Sequence, residues 1–194
     1  MLIIIVADIF GRTRELEELS RSLGKQTEIV DPYASIIQTY CEETEAYDYF
    51  IDHVGIITYS KILQSALKPI SKEFELIGFS VGASAIWKIS DRLNPEMCKR
   101  AVCFYGSQMR HYQAIIPQIS IELVFPAFEP SFDVNDLSKN MSDKLDVKIH
   151  KTRYLHGFMN YHSKNYSHIG YVEYLDWLNK MDFRDPKTVR KVKQ

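Results

Sequence analysis

Apolar residues along this chain follow two rhythms, one in short unbroken runs and the other recurring every three to four positions. Leu2-Ile-Ile-Ile-Val-Ala7 is an unbroken run, which predicts a strand buried on both faces. Arg14–Leu23 places Leu16, Leu19 and Leu23 at helical spacing and stops at Gly24. Thr27–Val30 reads as a second short strand, ended by Asp31-Pro32. Helical stretches are expected over Ser35–Thr44 and Tyr49–Leu67. A strand over Phe74–Phe79 follows, then a helix over Val81–Leu93 closed by Asn94-Pro95. Strands are expected again over Arg100–Tyr105, Ile119–Phe125 and Lys144–Lys151. Ser167–Met181, with Ile169, Val172, Leu175 and Leu178, predicts a closing amphipathic helix.

Strands alternating with helices predict an α/β fold, a mostly parallel sheet with helices on both faces. No internal repeat, low-complexity linker or shift of composition divides the chain. Residues 1–182 therefore read as one domain, and 183–194 as a basic, frayed tail. A chain of 194 residues can bury a core large enough to need no staples. Its 45% hydrophobic and 25% charged residues are ordinary for a soluble globular protein. A formal net charge of −1 argues against nucleic acid or an anionic membrane as a partner. Three cysteines, Cys41, Cys98 and Cys103, are an odd number without metal-ligand spacing, which fits thiols in a reducing compartment. The apolar run at 2–7 is too short to span a bilayer and has no targeting flanks, so a cytoplasmic location is expected.

In a parallel sheet, ligands bind beyond the carboxyl ends of the strands. The most informative of these ends is Gly78-Phe79-Ser80-Val81-Gly82, with a strand before it and a helix after it. This is Gly-x-Ser-x-Gly in its strand–turn–helix setting, the nucleophile elbow. So tight a turn is expected to crowd the positions two before and two after the serine against each other. Glycine at both relieves that crowding and leaves the hydroxyl standing clear. The helix that follows points free N–H groups at any oxyanion formed there. The other ends carry Asp8-Ile9-Phe10-Gly11, Tyr105-Gly106-Ser107, Glu129 and Asp133, and His156-Gly157-Phe158. A hydroxyl, carboxylates and an imidazole thus converge in the chain order Ser, acid, His, the order of α/β-hydrolases.

Four segments resemble the dienelactone hydrolase family of α/β-hydrolases: Asp8-Ile-Phe-Gly11, the elbow at 78–82, Phe104-Tyr-Gly106 and His156-Gly-Phe158. Asp31-Pro-Tyr33 resembles the family's segment after the second strand, and the matches span residue 3 to about 178 in order. The resemblance implies a hydrolase fold without a lid domain, and cleavage of small esters or lactones through an acyl-enzyme. It also implies an acid beside the nucleophile at Asp8. Two departures stand out. Ser80 replaces the namesake's cysteine, and serine depends more on its base because almost none of it is ionised at neutral pH. The family's Gly-x-x-Asp pattern after the penultimate strand puts Pro130 where the aspartate belongs. Glu129 is then the first choice for the acid because it lies nearer the strand end, Asp133 the second and Asp136 the third.

The chemistry expected is two-step acyl transfer to water, with Ser80 as nucleophile, His156 as base and Glu129 or Asp133 orienting the imidazole. The backbone N–H groups of Ile9 and Val81 are placed to receive the oxyanion. Asp8, Phe10, Phe79, Tyr105 and Phe158 are expected to line the pocket. No metal or organic cofactor is required. The partner expected is a small ester, lactone or thioester, and the chain a monomer or homodimer. The rival reading keeps the fold and loses catalysis, leaving a protein that binds a small molecule or a protein partner; the missing aspartate favours it.

Overall fold

A computed structural model of the chain describes residues 1–36, 40 and 42–181. The strands are β1 (Leu2–Val6), β2 (Gln26–Val30), β3 (Phe74–Phe79), β4 (Cys98–Phe104), β5 (Ser120–Phe125) and β6 (Val147–Lys151). They lie side by side in the order β2-β1-β3-β4-β5-β6, and every pairing is parallel. The helices are α1 (Arg14–Ser22), α2 (Glu43–His53), α3 (Gly55–Leu67), α4 (Val81–Ile89), α5 (Val134–Ser142) and α6 (His168–Lys180).

Alternation of side chains along the strands divides the core in two. Leu2, Ile4, Val6, Leu76, Ala101 and Leu123 face one way and pack against α2 to α5 through residues such as Phe50, Tyr59, Leu63, Ile86 and Met141. Ile3, Ile5, Ile77, Val102, Phe104 and Val124 face the other way, toward Leu19 of α1 and Leu178 of α6. This is why β1 reads as an unbroken apolar run: all five of its residues are buried.

Four expectations change, the first being that the helix expected over Val81–Leu93 ends at Ile89. The helix expected over Tyr49–Leu67 is two helices, because Val54 leaves helical dihedrals and Gly55 follows at φ +65°, a conformation that favours glycine. A helix the hydrophobic pattern did not announce, α5, follows β5, with Val134, Leu137 and Met141 buried on one face. It shortens the last strand, expected from Lys144, to a start at Val147. The helix expected over Ser35–Thr44 lies partly outside the described residues, and Cys41 and the 183–194 tail lie wholly outside them.

The chain places β2 on one side of β1 and then β3 on the other. The strand order therefore reverses at the β1–β3 boundary, where the crevice of a doubly wound sheet opens. The Asp8–Gly11 turn and Ser80 both sit at that crevice.

Candidate active site

Ser80 caps α4 directly after β3, at φ 49° and ψ −111°. A non-glycine residue there is strained, and surrounding contacts must hold it. Its N–H donates to the Phe104 carbonyl (3.0 Å), and its carbonyl accepts from the Ser84 N–H (3.0 Å) and the Ser84 hydroxyl (3.1 Å). The flanking glycines are required, though not because they crowd each other. A Cβ on Gly82 would stand 2.3 Å from the Val6 carbonyl oxygen, and one on Gly78 would stand 2.8 Å from the Ala83 nitrogen. They let α4 approach β1 closely and close the turn upon itself.

Two remote segments come to the serine. His156, in the turn after β6, places Nε2 2.9 Å from Ser80 Oγ. Its Nδ1 lies 2.6 Å from Oε1 of Glu129, a residue only 7% exposed. The Ala127 N–H donates to the Tyr154 carbonyl (2.7 Å), which ties the loop carrying Glu129 to the one carrying His156. Asn165 Nδ2 donates to the His156 carbonyl at 2.9 Å and holds the imidazole's backbone. Asp133, the second choice for the acid, has another task. Its carboxylate accepts from the N–H groups of Asn135 (2.7 Å) and Asp136 (3.3 Å) as the N-cap of α5. Asp136 stands in the first turn of that helix.

Opposite the imidazole, the Asp8–Gly11 turn is held from two sides. Asp8 Oδ1 accepts from the Phe10 N–H (3.0 Å), and the Tyr33 hydroxyl donates to the Ile9 carbonyl (2.6 Å). Tyr33 is placed in turn by its own N–H, which donates to Asp31 (2.8 Å). The N–H groups of Ile9 and Val81 have no acceptor among the described residues. Both residues line an open groove of about 800 Å³ together with Ser80, Glu129 and His156.

Asp8, Phe10 and Tyr105 border a small chamber with Ser80 and His156. Burial pushes the Asp8 carboxyl above its ordinary range, against hydrogen bonds from Asn160 and Phe10 that pull it down. The Tyr105 ring lies 5.0 Å from the His156 ring. Burial pushes its hydroxyl well above the ordinary tyrosine range, against a hydrogen bond from the Met159 backbone. The other two expected pocket residues sit elsewhere. Phe158 is fully buried and packs between Tyr105 and Tyr154, so it belongs to the core and cannot meet a substrate. Phe79 stacks on Phe104 and faces a separate cavity beside α1, because it points to the opposite side of the sheet from α4.

Asn160 and Asn165 escaped the sequence reading. Asn160 Nδ2 donates to Asp8 Oδ2, joining residues 152 apart in the chain. The only signal for either was its position in the loop that also carries His156.

Comparison with known proteins agrees with this architecture. The family model described as "Dienelactone hydrolase family" matches residues 5–179. The chain belongs to the dienelactone hydrolase family, and through it to the hydrolases of α/β-hydrolase fold. It is 32% identical over 166 residues to the uncharacterized protein YczH of Bacillus subtilis (strain 168), covering 82% of this chain and 81% of that one. The crystal structure of dienelactone hydrolase from Anabaena variabilis superposes with a TM-score of 0.66 at 12% identity, over 92% of this chain and 83% of that one. The dienelactone hydrolase-like promiscuous phosphotriesterase P91, from metagenomic libraries, superposes with a TM-score of 0.62 at 14% identity, over 92% and 84%. At such identities the two structures share the fold. Among the described residues, no helix is long and apolar enough to cross a membrane.

Proposed function

We propose that the protein is a serine hydrolase that cleaves a small ester, lactone or thioester through an acyl-enzyme on Ser80. The observation that carries this reading is the continuous chain from Ser80 Oγ to His156 Nε2 (2.9 Å) and from His156 Nδ1 to Glu129 (2.6 Å). Nε2 takes the serine proton as Oγ attacks the carbonyl carbon, and Glu129 holds the imidazole in the tautomer that leaves Nε2 free to accept. The oxyanion forms against the N–H groups of Ile9 and Val81, and each such donor is typically worth about 3–4 kcal/mol. The same imidazole then protonates the leaving group and activates the water that releases the acid. The groove is open, which suits a short substrate better than a long lipid chain.

Intact-mass analysis after treatment with a fluorophosphonate probe tests the reading. One adduct is expected on the wild type and none on Ser80→Ala. An unlabelled wild type that is folded by circular dichroism would overturn it and leave the binding-protein reading in its place.

A further inference from the structure

Behind Asp8 and Tyr105 lies a second cavity of about 410 Å³, between α1 and residues 159–171. It shares Asp8, Tyr105 and Asn160 with the small chamber at Ser80 and His156, so those three residues are the wall between the two spaces. Its lining combines two features. The first is aromatic: Phe79 and Tyr105 rise from the sheet edge, and Tyr161, Tyr166 and Tyr171 make the outer side. Those three outer rings contact one another in series, Tyr161 to Tyr166 at 5.4 Å and Tyr166 to Tyr171 at 6.2 Å between centroids. The second feature is charge. Asp8, Glu15 and Glu18 line the cavity against a single guanidinium, Arg14, which is held by Glu18 at 3.0 Å, and the imidazole of His168. Glu15 is bound on its far side by His162 Nε2 at 2.8 Å. The buried Tyr105 hydroxyl lies at the inner wall, beside the backbone of Met159.

Ring faces are the negative side of the aromatic quadrupole, and the carboxylates here outnumber the one arginine. An anionic group entering this space would meet three carboxylates, with Arg14 already held by Glu18. A neutral apolar group would gain from the rings and leave the acidic excess unanswered. A compact cation answers both. We propose that this cavity is a binding site for a small organic ammonium group, held by the tyrosine wall and the acidic lining. The assignment stands on the cavity itself and does not depend on Ser80 being a nucleophile. The ammonium group has two possible sources, one arm of an ester substrate or a separate small molecule.

The test is a ligand-observed NMR titration of the full chain with choline and with 3,3-dimethyl-1-butanol, which has the same shape without the charge. Choline is expected to bind wild type and Ser80→Ala alike, and the neutral alcohol about tenfold more weakly. Tyr166→Leu should weaken choline about tenfold, and Tyr166→Phe, which restores the ring face, should recover it. Tyr166 lies outside the core, so neither change threatens folding. Equal affinity for the two ligands, no saturable choline binding, or indifference to Tyr166→Leu would each overturn the proposal. So would loss of choline binding in Ser80→Ala, which would place the cation in the Ser80 chamber instead. Competition between choline and an aryl ester during hydrolysis assigns the ammonium group to a substrate arm, and saturable binding without competition assigns it to a separate molecule. A wild type that binds choline and takes no fluorophosphonate would sink the hydrolase reading and leave this one standing.

Discussion

Two carboxylates four residues apart, Glu129 and Asp133, divide the work that either could have done. Glu129 is buried against the imidazole, and Asp133 spends its lone pairs on the first N–H groups of α5. The two roles separate by mutation. Glu129→Gln is expected to lower kcat for an aryl ester about 10²- to 10⁴-fold, since a neutral amide favours the wrong tautomer and cannot stabilise the imidazolium. Steady-state kinetics would reveal it, and unchanged turnover would remove Glu129 from the mechanism. Asp133→Ala should leave turnover near wild type and cost about 1 kcal/mol of stability in urea, the usual loss of an N-cap. Alanine is the right replacement there, because asparagine would cap nearly as well.

Among the elements, α4 and the α2–α3 corner show two different uses of glycine. Gly82 is needed for space: an added methyl would be driven into the Val6 and Ala7 carbonyls at 2.3 and 2.4 Å. Gly82→Ala should force α4 away from β1, costing about 1–3 kcal/mol or more as overpacking does, and displace Ser80 with it. Slower fluorophosphonate labelling together with a lower urea midpoint is the expected pair of readouts. Gly55 is needed for its dihedrals alone, since nothing lies within 4 Å of where its Cβ would be. Gly55→Ala should cost about 1–2 kcal/mol, the strain of a left-handed alanine, with labelling of Ser80 unchanged. The corner itself was hard to read because helical periodicity continues on both sides of it. The missed helix α5 was legible in principle, with Asp133 as its cap and Val134, Leu137 and Met141 on one face.

At the scale of the whole molecule, Glu75 is a group of the sheet that couples folding to pH near neutrality. Glu75 on β3 is almost fully buried, and Arg100 approaches it at 3.5 Å. Burial outweighs the guanidinium and pushes the carboxyl from its ordinary 4.5 up to about 7. Between those values the folded protein keeps a proton that the unfolded chain has released. Stability should therefore fall as pH rises across that window. Urea unfolding at pH 5 and pH 8 is expected to show the decline, and Glu75→Gln to flatten it; a wild type with no such slope would mean that Glu75 stays ionised in the fold. The same packed interior buries Cys98 and Cys103 and raises both thiols, Cys98 to about 12. Peptide mapping should find both resistant to alkylation in native protein and reactive in denaturant.

What the sequence determined by itself was whatever local rules control. The alternation of apolar runs and helical periods announced an α/β sheet, and the sterics of a strand–turn–helix singled out Ser80. The chain order pointed to His156 in the turn after the last strand. Tertiary structure decided everything that depends on which loops touch. It set Glu129 and not Asp133 against the imidazole, through a hydrogen bond from Ala127 to Tyr154 that no local pattern encodes. It moved Phe158 into the core and joined Asp8 to Asn160 across 152 residues of chain. Periodicity and turn chemistry act over a few residues. The conformation of a loop at the edge of a sheet answers to partners that folding alone brings near.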